Sequence, residues 1–324
     1  MPSPTPRRSR PSRLLLGVAA ALALTASGLG LHAQPVAADE VSSPAPSASP
    51  APSAPPAFPD TTFFGRGYGH GVGMSQYGAR GRALAGQTAP TILAHYFPKT
   101  TLGTRSVSTV VRVLLLTGLA ATPAKPLTVI GRTAGWSLDG VATVFPKDAR
   151  LALAPTALNA TTWNLKVFRA DGALLHAAVV TGDVKVRPAT ASSLLQLVSK
   201  ATTTNIYRGW FRIRLTRTAM VVNHITIDRY LRGVVPLEMP SSWPAEALRA
   251  QAIAARSYAI YRLHPTTGMF DVYDDTRSQV YRGRKAETTA GSAAVTATAG
   301  RVLLSGTSVV NAMFHSAGGG WTEH

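Results

Sequence analysis

The sequence predicts a mixed α+β fold, an antiparallel β-rich domain with a few packed helices around a cleft. Three observations carry that expectation. Between Ser106 and Leu215, short β-branched runs are punctuated by Gly, Pro, Asp or Asn, which is the signature of antiparallel strands. Leu248, Ala252, Ala255, Ala259 and Leu263 recur at spacings of four, three, four and four, one stripe of a helix. A hydrophobic content of 45% over 324 residues supplies a sizeable core with no cysteine to staple it.

In chain order, Arg7, Arg8, Arg10 and Arg13 precede an apolar run from Leu14 to Leu31 and then Val36-Ala37-Ala38. That layout predicts an export signal over residues 1–38, removed after Ala38. Residues 39–60 are a Pro/Ala/Ser-rich linker, too poor in large apolar side chains to bury a core. Residues 61–100 hold a glycine-rich loop and two helices. The first spans about Ser75 to Ala85; the second is opened by Thr88 as N-cap with Pro90 in its first turn and is stopped by Pro98.

Residues 101–324 read as the main domain, with a strand-rich part at about 105–225 and a chemical part at about 226–324. The runs VSTVVRVLLL, LTVIG, WNLKVFR, HAAVVTG, DVKVRP and WFRIRL are predicted strands, and MVVNHITID a strand pair. The stretch Leu119–Lys200 has few carboxylates and His176 as its one histidine, which suits a scaffold or recognition element. Pro244 and Glu246 suit the first turn of the striped helix, which His264-Pro265 ends. A polar loop or short strand follows at 270–283, then a helix over Ser292–Ala299 and two strands turning at Gly306. The abrupt stop after a triple-glycine loop reads as a fragment of a longer chain.

Composition narrows the function. The formal balance is +18, and removing residues 1–38 leaves 29 basic against 15 acidic residues, +14. Such an exported chain is drawn to polyanions, meaning anionic wall polymers and acidic lipids. Nucleic acid is not expected as a partner, because no basic cluster is interleaved with aromatics. Without cysteine there is no disulfide, thiol nucleophile or thiolate metal site. No paired-histidine metal spacing occurs, and Asp271, Asp274 and Asp275 lack the bidentate Glu of a calcium loop, so they read as solvated turn carboxylates. No cofactor or metal is expected.

Among the 15 carboxylates, Glu238 stands apart. It lies between Leu237 and Met239, held by Pro236 and Pro240, in a loop joining a strand to a helix. Desolvation there raises its pKa and keeps it protonated near neutrality, as a general acid requires. The blander alternatives are a cap on the following helix or an ion pair with Arg232. Asp228 beside Arg229 reads as a solvated ion pair. A second constellation is His70, Ser75 and Gln76 in GYGHGVGMSQ, where the glycines imply close backbone approach. Its spacing fits neither a phosphate loop nor a nucleophile elbow.

The run YLRGVVPLEMPSSWPAEALRAQAIAARSYA, with DVYDDTRSQVYRG, FHSAGGGWTE and GRGYGHGVGMSQYGARG, resembles the stage II sporulation protein D family. That family includes peptidoglycan lytic transglycosylases and a protein called an amidase enhancer. The resemblance implies that Glu238 is the catalytic acid. It implies that His70, Ser75, Gln76, Gln251, Arg256, Gln279, Ser316 and Gly319 line the cleft, with Arg256 alternatively paired to a carboxylate and Gln251 ordering the Glu238 loop. The implied partners are peptidoglycan glycan strands and, in the accessory alternative, a wall amidase; the implied location is secreted and wall-associated. Three departures stand out: Tyr273, Arg277 and Ser278 occupy the segment where relatives carry metal ligands; GHGVGMSQ precedes the Glu238 segment where the family usually has it after; and the last part of the family domain is missing after His324.

Overall fold

The computed structural model describes residues 67–263 and 267–323. The chain divides at Thr61–Thr62, and the first unit, with the expected export signal and linker, lies outside the described residues. The second unit is α+β, as the sequence predicts. Its main sheet is antiparallel along the order 206–207, 194–197, 127–132, 150–155, 162–168, 174–188, 210–215, 219–226 and 110–119. Val272–Tyr273 then adds in parallel on Val113 and Leu114. The alternating inward residues of both halves, among them Val129, Leu153, Trp163, Phe211, Ile213 and Val221, enclose one core.

The two runs HAAVVTG and DVKVRP form one strand, Leu174–Pro188, rather than two. Gly182, at φ +70°, is the pivot: residues before it pair with Thr162–Phe168 and residues from it onward with Trp210–Leu215. A glycine read as a turn thus lets one strand serve both halves of the sheet. MVVNHITID likewise forms a single strand, Ala219–Thr226, paired to Trp210–Leu215.

Among the described residues six α-helices pack with the sheet: α1 (Gln76–Leu84), α2 (Ala89–Tyr96), α3 (Ile227–Arg232), α4 (Val235–Glu238), α5 (Ala245–Tyr261) and α6 (Thr289–Ala297). Ser75 caps α1, its hydroxyl accepting from Gly78 N–H at 3.1 Å. Thr88 makes no such bond to α2. The Ala89 N–H instead donates to the Glu246 carboxylate at 2.7 Å, so one acid serves the N-terminal turns of both α2 and α5.

The sequence predicts that α5 lays one stripe on the sheet, and the structure corrects this. Ala252, Ala255 and Ala259 do face the sheet core, but Leu248 joins Ala247, Ala250, Ile253 and Ala254 in a second core with α1 and α2. A helix apolar on both sides is a buried helix, and small side chains let five other helices and two strands approach it.

Its one buried charge is Arg256, fully shielded from solvent. Nε donates to Asp228 of α3 at 2.8 Å, and the two terminal nitrogens to the Arg301 carbonyl at 3.1 Å and the Val295 carbonyl at 3.2 Å. Asp228 is therefore the counter-ion of Arg256 and not of Arg229. Removing the guanidinium strands Asp228 and two carbonyls, so Arg256→Met is expected to lower unfolding free energy by about 3 kcal/mol in urea titrations.

Candidate functional site

The site is assembled from segments far apart in sequence. Met74–Ser75 pairs in parallel with Phe314–His315, and isolated bridges join Tyr68 to Ala317 and Val72 to Glu323. Gly73, at φ +74°, lies where a side chain would run into the Met313 carbonyl, which explains one of the motif's glycines. The Ser316 carbonyl accepts the Tyr77 N–H at 3.0 Å at the start of α1. The glycine-rich motif and the FHSAGGGWTE segment are thus one structural unit, and the site forms despite the rearranged order of the motifs.

Glu238 is not in an open loop. It ends the single-turn helix α4, which Pro236 helps to start. Leu231, Val234, Val235 and Met239 around it are buried. Burial pushes the Glu238 carboxyl above the ordinary glutamic acid range, opposed by hydrogen bonds from the Gln76 side chain and the Val280 backbone. Neither bland alternative holds: the Arg232 guanidinium turns to Thr296 at 3.4 Å, and Glu238 caps no following helix.

Beneath the carboxyl is a layer of phenols. Burial raises Tyr230 well above its usual value, with Glu238 a further cause, so the two groups lie close enough to feel each other. The Tyr230 hydroxyl donates to Gln279 Oε1 at 3.3 Å, and Gln279 donates on to the Ala255 carbonyl at 3.4 Å. Tyr281 packs on Tyr230 with ring centroids 5.0 Å apart and bonds Asn223 at 3.2 Å.

The other sequence-predicted residues fall into three groups. Gln76 meets Glu238, as does the residue after Gln279. Ser75 is a helix cap that also borders a large cavity with Gly319, and Ser316 acts through its carbonyl. Gln251 and Arg256 are wholly buried in α5 rather than in a cleft; the Gln251 amide has no hydrogen-bond partner among the described residues, and Arg256 is a clamp. Of the two places the resemblance leaves open for Arg256, the structure shows the pairing with a carboxylate, Asp228. His70 is exposed; its Nδ1 accepts from Val72 N–H at 3.1 Å and its ring lies 5.5 Å from His315.

Residues not singled out in the sequence also contribute. His315 is buried, with Nδ1 on the Val72 carbonyl at 3.1 Å. Tyr77 is exposed and packs edge-on against Trp243 at 4.9 Å, beside the Glu238 turn. A tryptophan in a Ser/Pro-rich loop was the available signal.

Tyr273, Arg277 and Ser278, which stand where the resemblance implies metal ligands, do not fit a metal. Arg277 lies 3.8 Å over the Tyr273 ring and pairs with Asp275, and the Ser278 hydroxyl accepts from Tyr273 N–H. Nor are the neighbouring acids all solvated: Asp271 is locked to Arg112 at 2.6 Å and Asp274 to Lys200 at 2.8 Å, both largely buried.

An α+β scaffold with a recessed carboxylic acid, Glu238, held by the Gln76 amide and the Val280 backbone defines the class of site. Residues 216–304, which hold Glu238, match the family model described as SpoIID, stage II sporulation protein. The chain is 43% identical over 93 residues to a protein named amidase enhancer from Bacillus subtilis (strain 168), covering 29% of this chain and 12% of that one. It is 35% identical over 130 residues to stage II sporulation protein D of the same organism, covering 35% and 38%, and 38% identical over 108 residues to an uncharacterized protein of Brachyspira hyodysenteriae, covering 33% and 29%. These matches span well under two thirds of each relative's length. No solved structure gives a significant match.

Because folding raises the Glu238 pKa, the stability its protonated form contributes is complete below the unfolded value, about 4.3, and is lost as pH rises through the folded value. Glu238→Gln is therefore expected to melt higher than the parent at pH 7, with the gap closing toward pH 4 in thermal scans.

Proposed function

We propose that the chain is an exported, wall-associated enzyme that cleaves the β-1,4 bond between N-acetylmuramic acid and N-acetylglucosamine as a lytic transglycosylase. The observation that carries this reading is a recessed acid held by neutral donors: burial shifts Glu238 toward its protonated form, and Gln76 and Val280 orient it. The SpoIID match over the same residues supports it. Glu238 gives its proton to the glycosidic oxygen as the bond to C1 breaks. The muramyl 6-hydroxyl oxygen then bonds to C1, and its proton passes to the Glu238 carboxylate, which restores the acid and leaves a 1,6-anhydro end. No water is consumed and one carboxyl group suffices. An inverting hydrolase would need a second carboxylate to activate water; Asp274, whose charge also reaches Tyr230, is engaged by Lys200.

A second reading is supported by the 43% identity to a protein named amidase enhancer: a non-catalytic wall-binding activator of an N-acetylmuramoyl-L-alanine amidase. The basic balance of the chain suits attachment to anionic wall polymers under either reading.

Product analysis on peptide-free glycan strands separates the two. The expected result is 1,6-anhydro ends, a loss of about a hundredfold or more in rate for Glu238→Gln, and a rate that falls as pH rises through the elevated Glu238 pKa. Reducing ends without anhydro ends defeat the mechanism, and no turnover by the protein alone favours the activator.

A further inference from the structure

A cavity of about 730 Å³ is not lined by Glu238. It begins beside it: Ser75 and Tyr77 border the cavity, and Gln76 between them is the residue that bonds the Glu238 carboxyl. From there the cavity follows α1 over Gly81 and Arg82 to the end of α2, with residues 317–322 as its far wall.

Two features define what such a space accepts. First, no Asp or Glu lines it, while Arg82 does. The Arg82 guanidinium is fixed by neutral acceptors, Gln87 Oε1 at 3.1 Å and His95 Nε2 at 2.7 Å, and lies 5.8 Å from the Tyr96 ring centroid. Its donation to His95 Nε2 requires that ring nitrogen to be unprotonated, so the imidazole adds no charge. Among the described residues no carboxylate pairs with Arg82, and a cation oriented in advance without a counter-ion is suited to an anionic ligand. Second, the entrance has an aromatic face. The Tyr77 ring is 57% exposed and braced edge-on by Trp243, which Arg80 covers at 5.6 Å. A rigid ring with an apolar face and a polar tip suits the C–H face of a sugar. Gly81 leaves the cavity floor open, since a side chain there would meet nothing within 4 Å.

Resting on the glycan-cleaving reading above, we propose that this cavity is the subsite for a sugar next to the cleavage point, with Tyr77 stacking on its ring and Arg82 taking a carboxylate that it carries. That carboxylate has two sources of the same chemistry: the lactyl ether of the sugar itself when unsubstituted, or the peptide attached there. Neutral sugars would occupy the same place without the ion pair.

The test is calorimetric titration of the full chain carrying Glu238→Gln, so that nothing is cut, with three length-matched ligands. These are peptide-free muramyl strands, strands bearing stem peptides, and neutral N-acetylglucosamine oligomers. Adding Arg82→Gln is expected to weaken the carboxylate-bearing strand about tenfold or more, to leave the neutral oligomer within about twofold, and to be partly reversed by Arg82→Lys. Which of the two muramyl ligands loses affinity identifies the source. An equal loss on all three ligands, or none on any, overturns the subsite. If muramyl strands bind well but ignore Arg82, the subsite falls and the Glu238 reading stands; if no strand binds the parent at all, both fall. The neutral oligomer also controls for folding, since a collapsed variant would lose it too.

Discussion

The parallel pairing of Met74–Ser75 with Phe314–His315 is the constraint on which the site depends. It brings a glycine-rich segment against one 240 residues later, and it sets the start of α1 so that Gln76 reaches Glu238. Four ladder or bridge contacts hold this zip, with Met74, Ser75 and His315 buried at its centre, and glycines at positive φ in the segment before Met74 let the backbones come together. Loop-closure cost grows only slowly with separation, so the distance in sequence is a smaller obstacle than it looks.

The second support is α5. Lying between two cores, it transmits the position of the sheet to the helices that hold the site. Arg256 fixes it by tying α3, α6 and the strand Arg301–Ser305 to one point. A buried guanidinium satisfied by a carboxylate and carbonyls costs desolvation, yet it accepts one relative placement of three elements where an apolar side chain would accept several.

Much of this is legible in the sequence, for identifiable reasons. The α+β class follows from strand punctuation and a helical stripe, both local signals. Glu238 is legible because two prolines and apolar neighbours announce a desolvated acid, and Gln76 because glycines crowd its motif. What is not legible is tertiary. Nothing local distinguishes Gly182 as a pivot within a strand from Gly182 as a turn, or tells that Glu246 caps α2 rather than its own helix alone. Asp228, Asp271 and Asp274 look like solvated acids until their partners Arg256, Arg112 and Lys200 arrive from 28, 159 and 74 residues away. The resemblance leaves Arg256 and Gln251 between lining the cleft and bracing it, and only packing, which buries both in α5, separates the two.

The recess raises the Glu238 pKa above the ordinary range, and Gln76 partly restrains the shift. Carboxyl carbon NMR titration of glutamate-labelled protein tests it directly, and with five glutamates in the chain the resonances are few. A Glu238 midpoint above those of the other glutamates, rising further in Gln76→Leu, is the predicted result. A midpoint at or below theirs, or one that ignores Gln76, would contradict it.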